Sequence, residues 1–467
     1  MVVFVTLAAG TFAVSGVQAE SISGALARAY GSSPDLNAQR ALARSIDENV
    51  PKATSGYRPQ ITASGSIGYQ ENRLRSTERA AQLNNAGTLL LRSPNTFAST
   101  IPGSFGLNVT QNIWNGNRTI NGVRQADSQV LQAREQLRLN EQTLLANSAA
   151  AYMNVLRDTA ILNLRNNNVD VLKEQLRLTQ DRFKVGEVTR TDVAQAESAL
   201  AKGQSDAFVA QSALQTSLAA YRQFIGVDAR SLDPARPLEK LSPRNLNQAL
   251  AESQTEHPAI QAALHNVDVA ALAVKLNEGT LYPTLGVTGS ITQSYEQQNN
   301  PGGRALNAAI IGSLNVPIYD GGANYATIRQ SKELLGQARL QADLQRDQIR
   351  AGVVSAWGLW ENSRRVIDAQ QVAVRAAEIA LNGVREEAKV GQRTTVEVLN
   401  QQQLLLQTRV DLVSAQRDRV VNSYALVAAV GRLSASTLGL RVERYDPTIH
   451  YDQVKDKWIG LRTPDGR

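Results

Sequence analysis

The sequence predicts an α+β membrane protein in which four short strands per chain join those of other copies in a β-barrel, continued by long coiled-coil helices. Three observations carry this expectation. The chain is internally duplicated, each copy holds two segments that alternate with period two, and each copy then carries heptads on both arms of a glycine-centred turn.

The duplication comes first because it organises everything else. Ala25-Leu26, Pro34, Pro59 and Gly65-Ser66-Ile67 recur 224 positions later as Ala249-Leu250, Pro258, Pro283 and Gly289-Ser290-Ile291. Gly116, Arg124-Gln125, Ala133-Arg134, Val185-Gly186 and Gly226 recur 205 positions later as Gly321, Arg329-Gln330, Ala338-Arg339, Val390-Gly391 and Gly431. The offset falls from 224 to 205, so copy one holds 19 extra residues between Ile67 and Gly116. An insertion confined to one place reads as a variable surface loop. It contains Leu89-Leu90-Leu91, expected either as a loop contact or folded over its own barrel. The expected organisation is a leader at 1–19, repeat one at 20–227, a Pro-bearing linker at 228–245, repeat two at 246–432 and a tail at 433–467.

Each repeat opens with short helices broken at Ser33-Pro34 or His257-Pro258, where proline at a first helical position restarts a helix cheaply. Strand pairs follow, at about 60–70 with 104–113 and about 284–293 with 309–318. Ile61, Ala63, Gly65 and Ile67 alternate with Thr62, Ser64 and Ser66; Leu285, Val287, Gly289 and Ile291 alternate with Gly286, Thr288 and Ser290. Such lengths suit tilted membrane strands, with a small soluble sheet as the competing reading. Tyr57, Trp114, Tyr282 and Tyr319 at one end and Tyr69 and Tyr295 at the other fit two interfacial aromatic girdles.

Helices fill the rest, as coiled-coil hairpins over about 118–226 and 323–431. The stretch 119–184 has no proline and would extend roughly 100 Å as one helix. Leu162, Val169, Leu176 and Phe183 recur every seven positions, beside Leu164, Val171, Leu178 and Val185; the return arm offers Val193, Leu200, Ala207, Leu214 and Tyr221. Ile367, Val374, Leu381 and Ala388, then Val398, Leu405 and Leu412, repeat this in copy two.

Four strands cannot close a barrel, and an open edge in hydrocarbon leaves backbone groups unpaired at several kcal/mol each. Two chains would pool eight strands around a bore filled by side chains; three would pool twelve, wide enough for a channel. A cyclic homo-oligomer is therefore required, with three copies preferred.

Composition narrows the class further. The 467 residues carry 49 basic and 42 acidic side chains, a net +7, with aromatics at only 5%. Lys and Arg are scattered, so the excess reads as solvated helix faces and no nucleic-acid partner is expected. There are no cysteines, which excludes disulfides, thiolate metal sites and lipidation at Cys. Residues 1–19 are apolar and end Val17-Gln18-Ala19, which reads as an export leader cut before Glu20. No other run approaches the ~20 apolar residues of a membrane helix. The three histidines, His257, His265 and His450, do not cluster with carboxylates, and neither a nucleophile elbow nor a phosphate loop occurs. No metal, no cofactor and no catalysis are expected, and Trp357 and Trp360 read as packing.

In these features the chain resembles the TolC family of outer-membrane efflux and secretion channels, across nearly all of 20–432. The motifs are Arg182-Phe183-Lys184-Val185-Gly186 followed by Thr191-Asp192-Val193, Lys389-Val390-Gly391-Gln392-Arg393-Thr394 followed by Val396-Glu397-Val398-Leu399, and the junctions Trp114-Asn115-Gly116 and Pro317-Ile318-Tyr319-Asp320-Gly321-Gly322. The resemblance implies a homotrimer with a twelve-stranded barrel in the outer membrane of a Gram-negative bacterium and a twelve-helix tunnel through the periplasm. It implies a passive exit duct of a tripartite efflux or type I secretion system, as met in drug resistance. The tips Lys184, Val185, Gly186, Glu187, Lys389, Val390, Gly391 and Gln392 would meet a periplasmic adaptor (a membrane fusion protein) coupled to an inner-membrane RND or ABC transporter. Thr191 and Asp192 match the family's latch acceptors and Arg393 the arginine that locks onto them. Two departures stand out. The family's gate tyrosine matches Ala388, and its two constriction aspartates match Glu397 and Asn400, leaving one acidic ring. The rival expectation is a periplasmic coiled-coil adaptor or scaffold.

Overall fold

A computed structural model describes residues 19–75, 80–83, 89–92, 95–296 and 302–466. The proposed leader, up to residue 18, lies outside them. The chain forms two compact units, each considered by itself: residues up to Arg44 with Leu131–His265 and Leu340–Pro447, and Ser45–Val130 with Asn266–Arg339 and Thr448–Arg467.

In chain order the helices are α1 (Ile22–Ser32), α2 (Pro34–Asp47), α3 (Asn49–Thr54), α4 (Arg118–Lys184), α5 (Arg190–Ile225), α6 (Leu246–Glu256), α7 (Pro258–Glu278), α8 (Ala323–Lys389), α9 (Thr395–Val430) and α10 (Pro447–Val454). Both α4 and α8 have 67 residues, both α5 and α9 have 36, and their starts differ by 205, the sequence offset. The duplication is thus kept residue for residue in the long helices.

Local chemistry explains the shared boundaries. Asn115 and Asp320, 205 apart, occupy equivalent positions ahead of α4 and α8, where Oδ1 of Asn115 accepts from the amide of Thr119 at 3.3 Å and Oδ2 of Asp320 from that of Asn324 at 2.6 Å. Both turns need two successive residues at positive φ. Gly321 and Gly322 supply them in copy two at 74° and 91°, whereas copy one uses Gly116 at 65° and Asn117 at 64°, asparagine being the side chain that best tolerates this region.

The core of the coil unit forms where α1 meets α4 and α5, joined by α9 and residues 433–440. Tyr152 lies at its centre, fully buried, and its hydroxyl donates to the carbonyl oxygens of Glu20 and Asp233, each at 2.7 Å. The 228–245 stretch is packed rather than slack. Leu232, Leu238 and Leu241 lie against this core, and Leu232 forms a parallel bridge with Glu20. Of the two heptad stripes on α4, Val169 is buried in one, whereas Val171 and Leu178 of the other are exposed on the single chain.

In the second unit, β1 (Gln60–Ile67) leads, through β2 (Gln70–Arg75), β3 (Ala80–Leu83), β4 (Leu89–Arg92) and β5 (Asn95–Thr100), to β6 (Gly103–Trp114). Strands β7 (Thr284–Tyr295) and β8 (Arg304–Asn315) come from copy two. The main sheet is antiparallel in the order β1-β6-β7-β8. The insert expected as a surface loop is instead two further antiparallel ladders, β2 with β5 and β3 with β4, which pair the backbone groups an irregular loop would leave open. Leu89-Leu90-Leu91 sit in β4, opposite Leu83, Gln82 and Ala81; where their side chains go lies outside the described residues. The last strand also departs from the 309–318 expected. It begins at Arg304, because the ladder with β7 runs to Tyr295, and ends at Asn315, ahead of Pro317, which has no amide to donate.

One further expectation needs correcting. Leu246–Leu281 contains an 18-residue window apolar enough, by composition, for a membrane helix. The stretch is two helices, α6 and α7, parted at His257-Pro258.

The tail is divided. Leu433, Ala435 and Leu440 enter the coil unit's core. The α10 helix belongs to the second unit, where buried His450 meets buried Asp47 at 2.9 Å and Tyr451 donates to Asp127 at 3.0 Å.

Candidate functional site: coil tips and a two-faced sheet

The two hairpin tips are built alike. At the end of α4 the amides of Gly186 and Glu187 return to the carbonyls of Phe183 and Arg182, both at 3.0 Å; at the end of α8 those of Gly391 and Gln392 return to Ala388 and Glu387 at 3.3 and 3.0 Å. Gly186 and Gly391 take φ of 82° and 81°, the left-handed stop that glycine reaches without strain. All eight predicted tip residues, Lys184 to Glu187 and Lys389 to Gln392, are exposed.

Thr189 and Thr394, which the sequence reading passed over, start the return helices. Each is the N-cap of a full capping box, with Asp192 and Glu397 three residues on. Asp192 accepts from the Thr189 amide at 2.9 Å and its hydroxyl at 2.7 Å; Glu397 accepts from the Thr394 amide at 2.8 Å and its hydroxyl at 3.2 Å. The motif Thr-x-x-Asp/Glu was legible in both copies and identifies these threonines.

The proposed latch residues are not joined within one chain. Arg393 bridges the turn of its own hairpin, to Glu387 at 2.8 Å and Glu397 at 3.0 Å. Asp192 is occupied by its cap, and Thr191 is exposed. Glu397 thus divides its carboxylate: one oxygen caps α9 and the other faces Arg393. Hydrogen bonds from Thr394, then from Arg393, hold its pKa below the usual glutamate value, and the Thr189 hydroxyl and amide do the same for Asp192. Asn400 is exposed one turn further along α9. Ala388 packs against the seam cluster of Ala377, Leu381, Val398 and Leu405.

Between tips and core, a polar layer crosses the seam. Gln402 on α9 donates to Asn168 on α4 at 3.1 Å, and Arg385 on α8 donates to Gln402 at 3.4 Å. These groups line a cavity of about 450 Å³ with Glu378 and Arg409.

The register of the sheet decides its chemistry. Ile61 pairs with Val109, Val109 with Gly289 and Gly289 with Ile310; one step along, Thr62 pairs with Asn108, Asn108 with Ser290 and Ser290 with Ala309. All four alternations are in phase. One face therefore collects Ile61, Phe105, Leu107, Ile291, Ile310 and Leu314, each exposed on the single chain. The other collects Thr62, Ser64, Asn108, Thr110, Ser290 and Asn307, with Ile311 its one large apolar side chain. A bulge skips Ile113, so Trp114 pairs with Leu285 on the apolar face instead of following Asn112 on the polar one. There its ring meets Tyr282 edge-on at 6.3 Å. Tyr57 and Tyr319 are exposed at this helix-side end, Tyr69 and Tyr295 at the other. Among the described residues, the outer edges of β1 and β8 have no strand partner in the sheet.

An apolar outer face, a polar inner face, two open edges and long paired helices define a membrane-channel subunit. The chain belongs to the outer membrane efflux protein family, whose sequence profile matches residues 25–227 and 247–432, the two copies. It is 42% identical to the outer membrane efflux protein BepC of Brucella suis biovar 1, over 96% of this chain and 93% of that one. It is 26% identical to the outer membrane protein TolC of Vibrio cholerae, over 92% and 95%. The CmeC outer membrane channel of Campylobacter jejuni superposes with a TM-score of 0.75 at 16% identity, covering 93% of this chain and 89% of that chain. The protein is thus an outer-membrane protein of the Gram-negative type with its helical part in the periplasm, and its relatives are channels. The rival reading, an adaptor or scaffold, is set aside by this membership.

Proposed function

We propose that three copies of this chain form the exit duct of a tripartite efflux or type I secretion system. In this reading three sheets close edge to edge into twelve strands, β8 of one copy beside β1 of the next, with the polar faces inward around a water-filled bore. The observation that carries it is the in-phase register, which gives the sheet one face for lipid and one for water while leaving both edges unpaired. Exposed Val171 and Leu178 give the coils an apolar stripe for a neighbouring copy.

The tips gate the duct and receive the periplasmic adaptor, which couples it to an inner-membrane RND or ABC transporter. On opening or closing, Arg393 exchanges Glu387 and Glu397 for Thr191 and Asp192 of an adjacent hairpin. Such a latch is directional but exposed, so it contributes little and releases readily. Glu397 forms a single acidic ring at the entrance, partly offset by Arg393.

Fractionation followed by electrophoresis of unheated samples tests the assembly. The expected result is an outer-membrane, detergent-resistant band of three chains that collapses to one on boiling. A water-soluble monomer in the periplasm would overturn the proposal.

A further inference from the structure

The tail beyond α10 ends in a pinned loop that the duct reading leaves unused. Trp458, Ile459 and Leu461 are 68%, 89% and 103% exposed, an unusual concentration of large apolar surface on one short segment. The loop is held from both sides. Lys457 closes it by donating to the carbonyl of Arg462 at 2.6 Å. Arg58 donates to the carbonyl of Lys457 at 2.8 Å, and its guanidinium lies 4.6 Å from the centre of the Trp458 ring. Behind it, α10 is fastened through His450 to Asp47 and through Tyr451 to Asp127.

The position of Arg58 fixes where this loop stands. It lies two residues before β1 and directly after Tyr57, whose carbonyl accepts from Gln111 of β6 at 3.1 Å. The loop therefore sits at the same end of the sheet as Tyr57, Trp114 and Tyr282, the helix-side girdle. We propose that Trp458, Ile459 and Leu461 dip into the periplasm-facing phospholipid leaflet of the outer membrane, as an anchor beside the barrel wall.

The chemistry suits that occupant. Tryptophan prefers the headgroup boundary, aliphatic side chains the acyl layer just above it, and flanking Lys457 and Arg462 the phosphates. The inference rests on the barrel reading, in which the apolar face of the sheet meets lipid.

The absence of cysteine permits a direct test. Single variants Ile459→Cys, Ile310→Cys and Val185→Cys of the full chain are nitroxide-labelled and reconstituted in nanodiscs of phosphatidylethanolamine and phosphatidylglycerol. Collision rates with oxygen and with a water-soluble nickel chelate are then compared. The expected result is an oxygen-to-nickel ratio at 459 several-fold above that at the aqueous tip label, approaching that of the barrel label. A ratio at 459 equal to that at 185 overturns the proposal in favour of a loop in water. Shielding from both agents overturns it in favour of burial against a neighbouring copy. A water-like ratio at 310 would refute the barrel reading itself, and the anchor with it.

Discussion

Glu397 performs two tasks with one carboxylate, and its neighbours set how each responds to change. Glu397→Gln should lower the duct's preference for cations, read as a shift in single-channel reversal potential; an unchanged potential would refute the acidic ring. Arg393→Ala should raise that preference, because it removes the cation 3.0 Å from the carboxylate. The folded pKa of Glu397 is depressed, so its charge and its cap persist below the ordinary glutamate range and are lost only as pH falls through the lowered value. His257 behaves differently. Burial, helped by the charge of Arg138, pushes its pKa down to about 4, and its Nδ1 accepts from the Ala259 amide at 3.2 Å. An unfolded histidine takes its proton near 6.5, so stability is complete above that pH and declines as pH falls towards 4. His257→Asn should flatten the fall of the thermal midpoint between pH 7 and 4.5, and an unaltered slope would count against the assignment.

At the scale of the element, the tips depend on caps more than on ion pairs. Thr189→Ala and Thr394→Ala should each cost about 1 kcal/mol of local helix stability, seen as faster amide exchange in the first turns of α5 and α9. Thr191→Ala, which removes no cap, should leave that exchange unchanged. Exchange that is equal in all three variants would show that packing, not capping, holds the tips. These threonines are legible in the sequence as Thr-x-x-Asp and Thr-x-x-Glu, although the family resemblance points to a latch role for Asp192 rather than to a cap. The heptads were equally legible, but spacing alone does not say which stripe faces the partner helix. Only the packed coil shows Val169 buried and Val171 exposed.

At the scale of the whole molecule, the decisive quantity is the phase between strands. A one-residue slip in any ladder would send its apolar side chains to the water face. Ile310→Lys, on the apolar face in mid-strand, should cost on the order of 2–4 kcal/mol and deplete the heat-sensitive oligomer in the membrane. Thr288→Lys, on the opposite face, should assemble normally and shift conductance towards anions. Equal tolerance of the two substitutions would refute the two-faced sheet.

By itself the sequence determined the duplication, the four alternating segments, the glycine turns and the need for more than one copy. All of these follow from local periodicity and from the cost of unpaired backbone in lipid. Tertiary structure decided what depends on contacts between distant residues. These are the register that aligns Ile61, Val109, Gly289 and Ile310 across four strands, the bulge that turns Trp114 to the apolar face, the pairing of the insert into ladders, and the seat of the tail loop on Arg58. A pattern of period two or seven specifies which residues share a face, but not which other element that face meets. That choice is made when the whole chain packs.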